Sequence, residues 1–455
     1  MRTRTSRRGF LEGVGLAAGV GAGMGVGLAT RAEEGVRPPR IAALTSTYFY
    51  LSHGYHIVGR FLDGFPVYDG GPGRTPEQNL HKPAFDVASL YIEQVADDTD
   101  LGRAKAARHG VRLSPTIADA LTLGTGSLAV DAVLLIAEHG DYPLNEKLQK
   151  LYPRYAYFQQ VLEVFKASGR VVPVFVDKHL SYSRAEAADM IAQAEALKIP
   201  LMAGSSLPVT WRRPELEIPL NRPFQDALVV SRGNLEIFGF HALEVLQVMA
   251  ERRDRRGKPQ GVVAVSYLEG DAVWEAGDRG VWSWELLPHA LGRSNTVNPG
   301  DVRKNTRDFK RPGVRDAATI LDVPVAFVVE YADGFRGTVL ILNGHVDDTT
   351  VAVRTVDGAG RPTIASTLTY LPAPPGASFF NPLVLRIEDF FRSATPPYSA
   401  RRTQLSGGVL DAALESRVRG GARIETPDLA TIDYEAPEDS GYIRSSLTDP
   451  TPNRI

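Results

Sequence analysis

From Arg40 onward the chain alternates short apolar runs with stretches of helical periodicity, the pattern of parallel β-α units and not of a sandwich. Residues 41–44 predict a first strand, and Ile57, Val58, Phe61 and Leu62 recur at helical spacing within 52–65. Further strands are predicted at 87–95, 130–137, 171–176 and 200–203, with helices at 101–109, 117–123, 153–168 and 184–197. The Gly- and Pro-rich stretch 66–83, with Gly70, Gly71, Pro72 and Gly73, is longer than an ordinary connection.

After Trp211 the pattern changes. A strong helical run covers 238–253, a strand 262–268, and four strand-like runs follow at 323–331, 338–343, 349–355 and 363–371, with Asp-Gly turn signals at 333 and 357. This predicts an open, mostly antiparallel sheet with helices on one face. The last part, 395–455, is rich in Pro, Gly and charge and predicts one helix near 408–418 followed by a loose tail. The organisation expected is therefore a leader over 1–32, a parallel-sheet α/β domain over 38–206, an α+β domain over 207–394 and a C-terminal helix and tail.

The leader is read from Arg2, Arg4, Arg7 and Arg8, with no acid among the first nine residues, ahead of a Gly/Ala/Val/Leu run from Gly13 to Ala29. The segment Ser6-Arg7-Arg8-Gly9-Phe10-Leu11 resembles the twin-arginine export motif, which implies passage of the folded chain through the twin-arginine translocase to a periplasmic or otherwise exported location. The 455 residues are 43% apolar and 23% charged, which excludes a largely disordered chain. With 51 basic and 53 acidic residues the formal charge is −2, so no basic field favours nucleic acid. Cysteine is absent, which removes disulfides, thiolate metal sites and a Cys nucleophile and leaves His and carboxylate chemistry.

Two stretches resemble the Gfo/Idh/MocA-type oxidoreductases. Asp177-Lys178-His179 directly after the strand 171–176 is similar to that family's Glu-Lys-Pro loop, and Gly239-Phe240-His241-Ala242-Leu243-Glu244 to its Gly-x-His-x-x-Asp helix. The resemblance covers roughly 40–392 and implies a Rossmann-like parallel-sheet domain followed by an open antiparallel sheet, a carbohydrate or polyol substrate, NAD or NADP, and Lys178 and His241 as catalytic-region residues. It also departs from the family. The glycines of the Gly-x-Gly-x-x-Gly phosphate turn correspond to Thr45, Thr47 and Tyr50, three side chains expected to stand where the pyrophosphate would lie. The ribose-binding acid corresponds to Glu93, and the acid four residues before the histidine to Ile237, with Glu236 about 100° of helix away.

In an open parallel sheet, ligands bind beyond the carboxyl ends of the strands. The residues placed there are Glu138, His139, Asp141 and Tyr142 after one strand, Asp177, Lys178 and His179 after the next, and Ser205 and Ser206 after the last. Lys178, His241, Glu138 and His139 are candidates for acid/base work, and Asp141, Tyr142, Asp177, His179, Trp211 and Arg212 for substrate binding. Glu138 and His139 with Asp141, His179 or His241 could also ligate a divalent cation. The same residue types serve as structural hydrogen bonds and caps, and Ser52 ahead of His53-Gly54-Tyr55-His56 suits a helix cap. Three readings stay open: an exported carbohydrate or polyol oxidoreductase working in a domain cleft, a cofactor-independent or metal-dependent enzyme, and a non-catalytic ligand-binding protein on the same fold. The fold is not expected to need Lys178 or His241 buried, so Ala at either should shift the melting temperature little, and copies of the chain could associate through the second sheet.

Overall fold

The computed structural model describes residues 37–66, 80–307, 309, 321–372 and 377–444. The leader and most of the long Gly/Pro-rich connection lie outside these residues, and residues 38–455 belong to one compact unit. No helix among the described residues is long and apolar enough to cross a membrane.

The first half runs β1 (Arg40–Thr45), α1 (His53–Asp63), β2 (Phe65–Pro66), β3 (Leu80–His81), β4 (Asp86–Ile92), α2 (Gly102–His109), β5 (Arg112–Leu113), α3 (Ile117–Thr122), β6 (Ala132–Ile136), α4 (Arg154–Ser168), β7 (Val174–Asp177), α5 (Arg184–Ala196) and β8 (Leu201–Gly204). Its six-stranded sheet has the order β5-β4-β1-β6-β7-β8, and every pairing is parallel. This is the doubly wound Rossmann arrangement, with the direction of winding reversing between β1 and β6. Its strands read as continuous apolar runs because helices cover both faces, as Ile41, Ala43 and Leu134 on one side and Ala42, Leu44 and Leu135 on the other illustrate.

The second half contains β9 (Trp211–Arg213), β10 (Asp226–Ser231), α6 (Ile237–Ala250), β11 (Val262–Glu269), α7 (Asp271–Asp278), α8 (Leu286–Leu291), α9 (Val302–Arg307), β12 (Val325–Tyr331), β13 (Arg336–Ile341), β14 (Thr349–Val356), β15 (Pro362–Tyr370), α10 (Phe380–Ser393), α11 (Ala400–Val418), β16 (Ile424–Glu425) and α12 (Pro427–Ala430). The eight strands follow the order β16-β11-β12-β13-β10-β14-β15-β9, antiparallel except for β10 with β13. The α/β domain followed by a mostly antiparallel sheet is the layout that the resemblance implied.

Three features correct the expected picture. Helices cover both faces of the second sheet: Val229, Phe327, Val339 and Val351 pack toward α6 and α11, while Leu228, Val230, Leu340 and Ala352 pack toward α7 and α8 with Trp274, Trp282 and Leu287. The alternation is the period of two along each strand, with both phases apolar. β10, β12, β13 and β14 therefore have no bare apolar face. The second correction is α10, whose Leu383, Val384, Ile387, Phe390 and Phe391 return to the first sheet's core beside Ile57, Val58 and Phe61 of α1. Each such buried side chain contributes roughly 1.5–3 kcal/mol. The third is α11, which begins at Ala400 and packs on α5 and β8 of one sheet and on α6 and β11 of the other. The region from 400 to 418 is thus a structural tie between the two sheets, and the last residues of the expected tail, beyond Arg444, lie outside the described residues.

Candidate functional site

The reversal of winding opens a crevice between β1 and β6, the place where a doubly wound sheet takes a ligand. Here the chain closes it. The Ser46 hydroxyl, one residue past β1, donates to the carbonyls of Glu138 (2.8 Å) and His139 (3.0 Å), just past β6. The Phe49 ring meets the His139 ring edge-on at 5.4 Å. The loop after β4 joins in: the Gln94 amide donates to the Ser46 carbonyl at 2.8 Å, and the Gln94 side-chain oxygen accepts from the Asp141 amide at 2.8 Å. Asp141 therefore serves this join through its backbone. Tyr142 donates to Glu93 and rests edge-on against Tyr152, and burial with the Glu93 bond pushes its phenol up.

Beyond β6 and β7 lies a buried ion cluster. Glu138, 1% exposed, accepts from Lys178 Nζ at 2.6 Å on Oε1 and from Arg154 Nη2 on Oε2. Burial alone would raise the Glu138 carboxyl, but Lys178 and Arg154 outweigh it and hold the group well below the ordinary carboxylate range. Lys178 is 2% exposed and paired, so the fold does bury it, against the expectation that it need not. Arg154, the first residue of α4, also approaches His179 Nδ1 at 3.3 Å, and its guanidinium lies over the Tyr152 ring at 4.7 Å. A basic residue in a helix's first turn opposes the macrodipole, a signal in the sequence that could have singled Arg154 out.

Asp177, wholly buried at the end of β7, brings in a residue from the start of α1: His53 Nδ1 stands 2.6 Å from Asp177 Oδ2. The His53 ring lies 5.3 Å from that of His139 and 5.0 Å, edge-on, from that of Phe380. Ser52 caps α1 as expected, and its hydroxyl accepts from the Tyr55 and Phe49 amides, each at 3.1 Å. Three atoms of the cluster, His139 Nδ1, Arg154 Nε and Asp177 Oδ1, are buried with no hydrogen-bond partner. His139 and Lys178 both hold left-handed backbone, with φ of 68° and 59°. Strain of this kind costs about 1–3 kcal/mol per residue and gathers at functional sites.

His241 comes from α6 and bonds the Ser205 hydroxyl through Nδ1 at 2.9 Å, while Glu244 one turn on accepts from the Ser205 amide and hydroxyl. Burial lowers the pKa of His241; the Glu244 hydrogen bond opposes that, and the charges of Lys178 and His53 add to the lowering. His241, Lys178 and His53 thus share one electrostatic neighbourhood. Burial, with His53 and Lys178 adding to it and Glu138 opposing, pushes His139 down to about 3. His179 is driven well below its ordinary value by burial and Arg154, and its ring meets that of Phe240 edge-on at 5.2 Å. Glu236 accepts from the Lys150 amide at 3.0 Å, and burial raises it to about 7.

Trp211 and Arg212 do not join this cluster. They lie on β9 at the far edge of the second sheet, where Arg212 donates to the Leu216 carbonyl at 2.8 Å and covers the Tyr442 ring at 4.2 Å. Arg212 thus holds the C-terminal segment, and the Trp211 ring meets that of Tyr370 on β15 at 6.3 Å. Among the described residues, no three His, Asp or Glu side chains are arranged to hold a metal ion.

The residues at the crevice do not fit a dinucleotide held in the usual way, although the filling side chains are not those expected. Thr45 turns its hydroxyl back to the Tyr91 carbonyl at 2.9 Å, and Tyr50 is 54% exposed, against the Tyr55 ring. The space is taken by Ser46, Phe49, His139 and His53. The Ser52 cap uses the amides of residues 49 and 55. A Cβ on Gly54 would come within 2.9 Å of the Thr47 carbonyl, so the one glycine that the close helix approach demands has moved inside α1.

No protein-family model and no curated protein matches the chain. Solved structures to which it is similar include an oxidoreductase from Agrobacterium radiobacter in complex with NAD+, L-tartaric acid and magnesium, at 13% identity over 85% of this chain and 98% of that one, with a TM-score of 0.47. A putative myo-inositol dehydrogenase from Sinorhizobium meliloti gives 13%, 85%, 99% and 0.46. The myo-inositol dehydrogenase from Lactobacillus casei, in complex with NAD(H) and myo-inositol, gives 11%, 85%, 96% and 0.47. At these values the likeness is one of overall layout and supports no residue assignment.

Proposed function

We propose that the chain is a divergent Gfo/Idh/MocA-like protein that binds a carbohydrate or polyol at the carboxyl ends of β6 and β7 and has given up the dinucleotide. One observation carries this reading: the Glu138–Lys178–Arg154 cluster and the His53–Asp177 pair stand side by side, with left-handed backbone at Lys178 and His139 and with His139 Nδ1 and Asp177 Oδ1 unpartnered. A ligand's hydroxyl groups would satisfy an acceptor such as Asp177 Oδ1. An apolar core of the same size would serve stability at least as well. Fold alone fixes no activity, so the reading rests on these residues.

Calorimetry with myo-inositol, D-glucose and D-xylose tests it. Binding of at least one is expected, with His241→Gln weakening it by about tenfold, the order of one lost hydrogen bond. Absence of binding by all three, or binding indifferent to both His241→Gln and Lys178→Met, would sink the assignment. We further propose export of the folded chain through Arg7 and Arg8. Replacing both with Lys is expected to leave the precursor in the cytoplasm, and unchanged export in a cell-fractionation assay would refute it.

A further inference from the structure

The His53–Asp177 pair points to an activity that needs no dinucleotide. We propose that the site catalyses proton transfer at the carbon beside a sugar carbonyl, a 1,2-isomerisation between an aldose and a ketose, with His53 as the base. This rests on the reading of the strand-end site as a carbohydrate site and adds a reaction to it.

The argument starts from the hydrogen bond. An ionised carboxylate only accepts, so the 2.6 Å contact with Asp177 Oδ2 fixes the proton of neutral His53 on Nδ1 and leaves the lone pair on Nε2. Asp177 is fully buried, whereas the His53 side chain is 14% exposed, more open than those of Lys178 or Glu138. The imidazole is held by an acid through Nδ1, while no described residue hydrogen-bonds its Nε2, the arrangement by which a carboxylate orients a catalytic histidine. Phe380 and His139 hold the ring on its flanks. Lys178 supplies the complementary charge. One of its three donors goes to Glu138, and the ammonium lies within the same cluster of charges as His53 and His139.

The reaction balances without an external oxidant. Nε2 of His53 removes the proton from C2 of an open-chain aldose; the C–H pair forms a C1–C2 double bond, and the carbonyl π pair moves to O1. Lys178 stabilises the resulting enediolate. The O2 hydroxyl proton passes to O1, the C2–O2 carbonyl forms, and His53 returns its proton to C1. C1 is reduced and C2 oxidised within one molecule. A single base serves both proton steps, which matches one histidine whose Nε2 no described residue hydrogen-bonds. Asp177 acts as a positioning residue.

The test is deuterium exchange in D2O, followed by NMR, on D-glucose, D-xylose and D-glyceraldehyde with the purified full chain, alongside calorimetry on the same sugars. The expected result is C–D formation and ketose in at least one case. His53→Gln should lower the exchange rate by about 10²-fold or more, the size of a general-base contribution, with sugar affinity kept within a few-fold. Asp177→Asn, whose amide can hold the imidazole in the other tautomer and whose oxygen can still accept from a ligand hydroxyl, should lower the rate far more than it lowers affinity, a split that a purely structural defect would not give. Circular dichroism checks the fold of both variants. Binding without exchange in the wild type overturns the reaction and leaves the carbohydrate site standing. Exchange that survives in folded His53→Gln overturns the role of His53, and absence of both binding and exchange overturns the two readings together.

Discussion

Glu138→Gln is expected to lower the stability of the fold by roughly 3–5 kcal/mol, the cost of removing one member of a buried ion cluster. Its carboxylate is the only anion that the hydrogen bonds of the cluster give to both Lys178 and Arg154, themselves 2% and 0% exposed. The neutral amide would leave two buried cations facing each other. Thermal or denaturant unfolding at pH 7 checks this, and a loss under about 1 kcal/mol would show that the cations find other partners. The pH dependence has a definite sign. Because the folded-state pKa of Glu138 is held well below 4.5, its contribution is fully present above that value and is lost as pH falls through the folded pKa. The gap between wild type and Glu138→Gln should therefore stay constant from neutral pH down to about 5 and close only in stronger acid. The triple change of Glu138, Lys178 and Arg154 to Leu and Met should cost less than Glu138→Gln alone, since it leaves no unpaired charge. That ordering would separate retention for chemistry from retention for stability.

Much of the fold was legible because its signals are local. The strands of the first sheet are short apolar runs set between helical repeats, and residues 41–44, 130–137 and 171–176 predicted β1, β6 and β7 within a few positions. What was missed has local causes as well. In α10, Phe380, Leu383, Val384, Ile387, Phe390 and Phe391 show regular helical spacing, but Pro372, Pro374, Pro375 and Pro382 surround its start. Pro382 is tolerated because it falls in the first turn. In α7 and α8 the helices are short and separated by Gly280, Trp282 and Trp284, which hides the apolar phase that meets the sheet.

The site was legible by half. Residues just after a strand are placed by that strand, so Glu138, His139, Asp177 and Lys178 could be grouped from order alone. Their partners could not, since His53 and Asp177 are 124 positions apart and no periodicity joins them. The direction of the β1–α1 loop was also hidden. Leu51 adopts left-handed backbone at φ 70°, and Tyr50 beside it lies on the surface; the crevice is left to Phe49 and Ser46.

Millimolar NAD or NADP is expected to leave the melting temperature of the chain unchanged and to give no heat of binding. A protein holding either cofactor at micromolar affinity would gain about 4.1 kcal/mol of stability at a thousandfold excess over its dissociation constant, a shift that unfolding experiments resolve easily. Admitting a pyrophosphate here requires breaking the Ser46 bonds to residues 138 and 139, moving the Phe49 ring off His139 and freeing the amides that Ser52 caps. Each buried polar group left unpaired costs about 1–3 kcal/mol, and every 1.4 kcal/mol is tenfold in affinity. Two or three such losses weaken binding by at least about thirtyfold before the aromatic contact is counted. Micromolar affinity measured by calorimetry would mean that the loops after β1 and β6 open together, and the sealed crevice would then be a gate and not the loss of a cofactor.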